Sequence, residues 1–464
     1  MATTAGECEC IDEVQTPLNA CSLEVLPLRS ALHVVVGCYQ LEEASHAQNA
    51  EEQDDQQTEP AKCETSDDSD GSAQENSPST KRATRSGELR LYSLPAVHLS
   101  SHAKSSSYAS PPQFGAPTQV VSMESGVLDA KWWCPSSSSA TPDRRYLASA
   151  CASGRIHVHL LIGKETTGDE NGGKDENVNI DCRRLEHVSS SSIREDDEHS
   201  TSRLALSLDW EKGGACNDAA ANSSFTRKIV SSYSDGSVSI HSFCSSQSDG
   251  QSMIEEERWD AHTLFGCPSE VWTCCFAASA STGQSTLSND GTNVVISGGD
   301  DCTMKLWDVR SCCTDGGPMA KVGGAEFDAG VTAVSYHPTQ EHMIAVGSYD
   351  EVVRLYDVRN LKAPLGRVNV GGGVWRIRWH PSHDGRMLVG AMHGGCRIVD
   401  AGDFESPQIV SKFTRHESMA YGADWLVGEE EGSGNDDGGA SDYAASCSFY
   451  DRRVCLWRNK LSID

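Results

Sequence analysis

Short runs in which apolar residues take alternate positions recur along the chain, at 127–133, 204–210, 271–276, 331–336, 374–379 and 421–425. Period-two spacing marks a β-strand with one buried face. Each run precedes a second pattern: a Gly- or Ser-flanked strand, an Asp at a tight turn, and an alternating strand that ends in an aromatic residue and often Asp. The clearest copies are SGGDDCTMKLWD (297–308) and GSYDEVVRLYD (347–357). IVSSYSDGSVSIH (229–241), ASCSFYDRRVCLW (445–457) and GAMHGGCRIVD (390–400) follow, with LASACASGRIHVH (147–159) and a split copy from 32–41 plus 88–94 upstream. That makes seven small antiparallel sheets.

The turn position is held in order by Ser153, Asp235, Asp301, Asp350, His393 and Asp451, at intervals of 82, 66, 49, 43 and 58 residues. The shorter intervals approach the roughly 40–45 residues of a WD repeat. One such sheet cannot bury both faces, but radial stacking covers them. The pattern predicts an all-β fold, a seven-bladed WD-repeat β-propeller spanning 1–464 as a single unit. Only seven residues follow Trp457, too few for the last blade's outer strand, so residues 8–14 are expected to supply it and close the ring.

Three stretches break the pattern: 42–87, 164–202 and 428–442 are rich in Glu, Asp, Ser and Gly and offer little apolar surface to offset the entropy of ordering. They read as disordered acidic insertions. With 38 basic against 67 acidic residues the net charge is −29, which repels a phosphate backbone and sets nucleic acid aside as a partner. The 19 cysteines sit in strand-like contexts with no Cys-x-x-Cys pair, and residues 1–12 are acidic with no apolar leader, so the expectation is a reducing compartment, the cytoplasm. No apolar run is long enough to span a bilayer, and a monomer is expected.

Chemistry is less visible. Gly-x-Ser-x-Gly, Walker and dinucleotide fingerprints are missing, and no cofactor is expected. His380 and His383 have a spacing that a metal uses on a helix, but WHPSH reads as a loop, so no metal site is assigned. Asp235, Asp301, Asp350 and Asp451 read as structural acceptors pinning each turn, with His262 and His416 as their partners. His393 differs, since it stands where other blades place Asp or Ser. It is either a hydrogen-bonding substitute for Asp or a neutral imidazole near the axial channel, able to act as general base on water. Trp272, Trp375 and Tyr421 open inner strands, while Tyr349 and Tyr450 precede turn Asp residues, so one face can carry an aromatic cage for a quaternary ammonium. Asp300 and Glu351 flank turns and can add negative charge; ordinary packing between blades is the competing reading for the Trp residues.

GGGVWRIRWHP (371–381), AMHGG (391–395), YGADW (421–425) and CSFYD (447–451), in this order, resemble the C-terminal blades of the WD-repeat diphthine methylesterase family. SGGDD (297–301), GSYDE (347–351) and LALSLDW (204–210) resemble its central blades. The resemblance implies removal of the methyl ester from methylated diphthine, a modified histidine of elongation factor 2, exposing a carboxylate for final amidation in diphthamide synthesis. That side chain carries a trimethylammonium group, which matches the aromatic cage. No catalytic residue is carried over.

A second reading is a non-catalytic adaptor, because WD propellers commonly bind peptides and fold does not fix function. LWDVR (306–310) and LYDVR (355–359) resemble the box of substrate receptors of cullin-RING ubiquitin ligases, with Arg310 and Arg359 facing an adaptor or pairing locally. Recognition of methylated histone tails is a third reading on the same aromatic residues.

Overall fold

The computed structural model describes residues 5–28, 31–42, 84–95, 112–133, 144–163, 183–192, 203–212, 225–246, 250–277, 293–312, 316–427 and 443–459. Among them every element of regular structure is a β-strand, and the strands form seven blades. The innermost strands are Asn19–Pro27, Val127–Trp133, Ala205–Trp210, Thr273–Phe276, Val331–Tyr336, Arg376–Trp379 and Ala420–Trp425. Each contacts the next in an unbroken cycle that returns from blade seven to blade one. Apolar clusters fill the gaps between blades; one joins Leu23 and Val34 of blade one to Ala445 and Leu456 of blade seven.

The ring closes through its first residues. Glu9–Gln15 pairs antiparallel with Arg453–Arg458, Cys10 opposite Trp457 and Gln15 opposite Arg453, and so becomes the outermost strand of blade seven. Just before it, Gly6–Glu7 adds in parallel to Gln408–Phe413 of blade six.

Two features depart from the sequence reading. Blade one has an inner strand, Asn19–Pro27, outside the alternating runs: both faces are covered, so seven of its nine residues are buried or apolar in a row and no alternation shows. Within the expected insertion 164–202, Arg184–Ser190 is the outer strand of blade two, held by backbone pairing to Ile156–Ile162, with three of its seven residues exposed and only two buried. Ala31–Glu42 and Thr84–Pro95 likewise run as strand into the ends of 42–87. The stretch 428–442 lies outside the described residues.

The turn aspartates do what was expected of them. In blade four Trp307 Nε1 donates to Ser297 Oγ (2.9 Å), which lies 2.7 Å from His262 Nε2, and His262 Nδ1 lies 2.7 Å from Asp301 Oδ1. A carboxylate only accepts, so Nδ1 carries the proton and Nε2 accepts from Ser297. Burial holds His262 below its ordinary pKa and keeps it neutral. Blade seven inserts a hydroxyl: His416 Nε2 lies 2.7 Å from Ser446, Nδ1 lies 2.8 Å from Ser448, and Ser448 donates to Asp451. Blade five uses Arg354 instead, bonded to Asp350 at 2.8 Å and Glu326 at 2.9 Å.

Candidate functional site at the axial mouth

Inner strands reach the axis with a kink. The pairing register slips between Ala20 and Ser22, Val127 and Asp129, Ala205 and Ser207, Val331 and Ala333, and Ala420 and Gly422. A bulge re-aims the extra side chain; at this place blade seven carries Tyr421, while Trp272 and Trp375 immediately precede the inner strands of blades four and six.

These residues meet. Trp272, Tyr349 and Trp375 form a triangle with ring centroids 5.6–6.0 Å apart. Trp375 packs on Tyr421 at 4.8 Å, Tyr421 on Phe449 at 5.5 Å, and Phe449 on both Tyr39 and Tyr450 at 4.9 Å. The result is an aromatic arc from blade four through five, six and seven to blade one. At one end Trp272 Nε1 donates to Asp300 Oδ1 at 3.2 Å, so a carboxylate borders the arc. Burial raises the pKa of the Tyr349 and Tyr421 hydroxyls, which stay neutral donors.

The other sequence candidates are placed as follows. Tyr450 is the exposed end of the arc, 67% accessible. Glu351 is exposed and takes the left-handed turn position (φ 70°) that Gly154 and Gly236 hold in blades two and three; its carboxylate makes no ion pair among the described residues. His393 is exposed and shares the strand register of Asp301 and Asp350, since Gly390 opposite Cys396 corresponds to Gly298 opposite Met304 and Gly347 opposite Val353. Its turn nevertheless closes differently, with Met392 (φ 40°) and Gly395 (φ 78°) as the left-handed residues. Arg397, at the place of Lys305 and Arg354 in blades four and five, donates to Val370 O at 2.9 Å and to Cys396 O at 3.0 Å. The imidazole makes no hydrogen bond or ring contact among the described residues, whereas Asp301 and Asp350 each accept several. Its neighbour Met392 reaches the mouth: a Cβ on Gly373 would lie 2.8 Å from Met392 Sδ and 3.3 Å from Tyr349.

Tyr39 and Phe449 went unread in the sequence. Tyr39 follows Gly37-Cys38 as Tyr349 follows Gly347-Ser348, and Phe449 sits beside Tyr450; both signals were there.

Beneath the rings lies a cavity of about 80 Å³, lined by Trp272, Trp375, Asp129, Lys131, Arg376 and Arg378 among others. Arg376 Nη2 reaches across the axis to Asp129 Oδ1 at 2.9 Å, and Asp129 Oδ2 also accepts Ser207 Oγ–H and Leu208 N–H. Lys131 donates to Glu24 at 2.9 Å, and Arg378 meets the same carboxylate. Burial and the nearby Arg376 charge bring the Lys131 ammonium down to about 8. Asp129 stays ionised: burial opposes its charge, but Arg376 and Lys131 prevail and hold its carboxyl below the ordinary range.

Away from the axis, Arg310 and Arg359 turn back onto Asp308 and Asp357, two residues earlier, with Nε–O distances of 2.9 and 2.8 Å. His380 Nδ1 accepts His383 N–H at 2.9 Å, which caps the loop. Cys10, Glu13 and Cys455 bring ligand atoms within 4.8 Å of one another on the outer edge of blade seven, but Glu13 already accepts Arg415 Nε–H at 2.9 Å.

Seven sheets, a Trp–Ser–His–Asp chain in blade four with a variant of it in blade seven, and an aromatic mouth over an axial cavity define a WD-repeat β-propeller. The WD domain, G-beta repeat family matches residues 260–308 and 319–357. A chain of the crystal structure of a mitotic checkpoint complex shares the fold, with a TM-score of 0.50 over 99% of this chain and 98% of that one at 13% identity. Diphthine methyltransferase homolog of Dictyostelium discoideum is 30% identical over 351 residues, 73% of this chain and 78% of that protein. Diphthine methyltransferase of Mus musculus is 30% identical over 226 residues, 48% of this chain and 42% of that protein. E3 ubiquitin-protein ligase COP1 of Arabidopsis thaliana is 36% identical over 73 residues, 16% of this chain and 10% of that protein. The chain belongs to the WD-repeat diphthine methyltransferase family.

Proposed function

We propose that the protein acts in diphthamide synthesis in the cytosol, hydrolysing the methyl ester of methylated diphthine on elongation factor 2. The observation that carries this reading is the aromatic arc at the axial mouth with Asp300 at its end. Aromatic faces attract a quaternary ammonium that cannot donate hydrogen bonds, and a nearby carboxylate adds charge attraction. Rings 5.6–6.0 Å apart already touch, so the trimethylammonium rests on the open face of the triangle rather than between the rings.

Water adds through oxygen to the ester carbonyl carbon, and the bond from that carbon to the methoxy oxygen breaks. One water proton leaves with methoxide as methanol; the other is released, and the carboxylate remains. His393 is the candidate base for the first proton transfer, being exposed next to Met392, which reaches the mouth, and making no hydrogen bond among the described residues. The tip Leu264–Phe265, with Phe265 98% exposed on the loop leading to Trp272, offers apolar contact to the protein that bears the side chain.

The relatives' name denotes methyl transfer rather than hydrolysis. Incubation with methyl-esterified elongation factor 2 in ¹⁸O-water separates the two. Hydrolysis releases methanol and puts ¹⁸O in the carboxylate; a methyl group found on another acceptor, or no methanol, removes the esterase reading. The adaptor reading draws support from the short likeness to COP1, but Arg310 and Arg359 are engaged by their own strands.

A further inference from the structure

We propose that the cavity beneath the aromatic mouth is an acyl subsite, which takes the ester or carboxylate of a betaine-type side chain whose quaternary ammonium rests on Trp272 and Trp375, with Arg376 touching the acyl oxygen. This rests on the reading above and adds the half of recognition that the arc does not supply.

Position comes first. Trp272 and Trp375 line both the mouth and the cavity, and Arg376 directly follows Trp375, so a cation surface and a guanidinium come from one short stretch of backbone. Charge comes second. The cavity wall carries Lys131, Lys212, Arg376 and Arg378 against Asp129 and Asp209, a basic lining in a protein of net charge −29. Glu24 answers Lys131 and Arg378, Asp424 stands 3.9 Å from Arg378, and Asp209 takes Lys212 at 3.1 Å. Arg376 and Arg378 each keep a buried Nε–H with no acceptor among the described residues, but Arg378 already faces Glu24 and Asp424, whereas Arg376 has Asp129 alone, through Nη2.

A guanidinium has five donors in a fixed plane, and a buried donor without an acceptor is costly unless something uses it. Ester hydrolysis creates that acceptor. The carbonyl oxygen becomes an oxyanion as water adds and stays negative in the carboxylate product, so a donor fixed before the reaction favours both over the neutral ester. Arginine remains protonated throughout and forms no covalent bond. Asp129, bonded to Ser207 and Leu208 from the neighbouring blade, holds the guanidinium in place.

The test uses the full chain with tetramethylammonium and glycine betaine as probes, followed by calorimetry. Betaine, which adds a carboxylate to the same cation, is expected to bind about tenfold more tightly than tetramethylammonium. The double variant Arg376→Gln with Asp129→Asn leaves neither partner stranded, and is expected to shrink that advantage to about twofold with tetramethylammonium unchanged. Arg376→Lys keeps the charge without the planar fork and provides the same comparison should the double variant not fold; betaine is expected to lose several-fold while tetramethylammonium does not. Equal affinity of the two probes in the wild type, or an advantage that survives both variants, overturns the acyl subsite and leaves the aromatic site standing. If neither probe binds, the aromatic site fails as well.

Discussion

Arg376 of blade six and Asp129 of blade two, 247 residues apart, are joined across the axis by a 2.9 Å bond from Nη2 to Oδ1. Neither belongs to a neighbouring blade, so the bond ties opposite sides of the ring. Removing one partner strands the other in a poorly solvated place, which typically costs about 3–5 kcal/mol. Asp129→Ala is therefore expected to lower the melting temperature much more than the double replacement does, and a thermal scan of the three proteins checks it.

Trp375 touches Trp272, Tyr349 and Tyr421 and is the hub of the arc. Trp375→Ala is expected to weaken tetramethylammonium binding by about tenfold, the scale of a desolvated cation–π contact. Quenching of indole fluorescence reads the loss; unchanged affinity would remove the cation site from this end of the arc.

His393→Ala tests the base. The ring makes no structural bond among the described residues, so the variant is expected to melt with the wild type while methanol release falls by about 10²–10⁴-fold. Full activity would assign the proton transfer to another group.

Asp301→Ala has the opposite signature. Its carboxylate collects His262, Thr303 and Lys305, all buried, so blade four is expected to lose about 2–4 kcal/mol while the mouth keeps its affinity for tetramethylammonium. Denaturant unfolding and calorimetry together separate the two effects.

Acid should loosen blade seven. Burial pushes His416 from 6.5 down to about 4, so the folded state resists protonation that the unfolded chain accepts. The stabilisation is complete above about 6.5 and fades as pH falls toward about 4, because the unfolded state binds the proton first. A melting temperature that drops across that window, with a shallower slope in His416→Gln, is the expected result.

The blades were legible in sequence because a Gly- or Ser-containing strand and a turn Asp recur in them, as at Ser297 to Asp301 and Ser348 to Asp350, even though these two strands are buried at every residue rather than on one face. The convergence of Trp272, Tyr349, Trp375 and Tyr421 followed from placing each against its blade. Outer strands such as Arg184–Ser190 stayed hidden, since backbone pairing holds them and solvent accepts almost any side chain there. The bond from Arg376 to Asp129 left no trace at all: it depends on how opposite blades face one another, which no local pattern encodes.

Glu9 and Arg458, 449 positions apart, share a salt bridge on the strand pair that shuts the ring. The earlier strand of the pair thus finds its partner only after the whole ring between them has been made. Until then the growing molecule is an open fan with an unpaired edge at each end, the form most prone to capture by other chains. Moving residues 5–15 to follow Arg458 in a circular permutant would bring the two halves of the seal side by side in the chain and shorten that open stage.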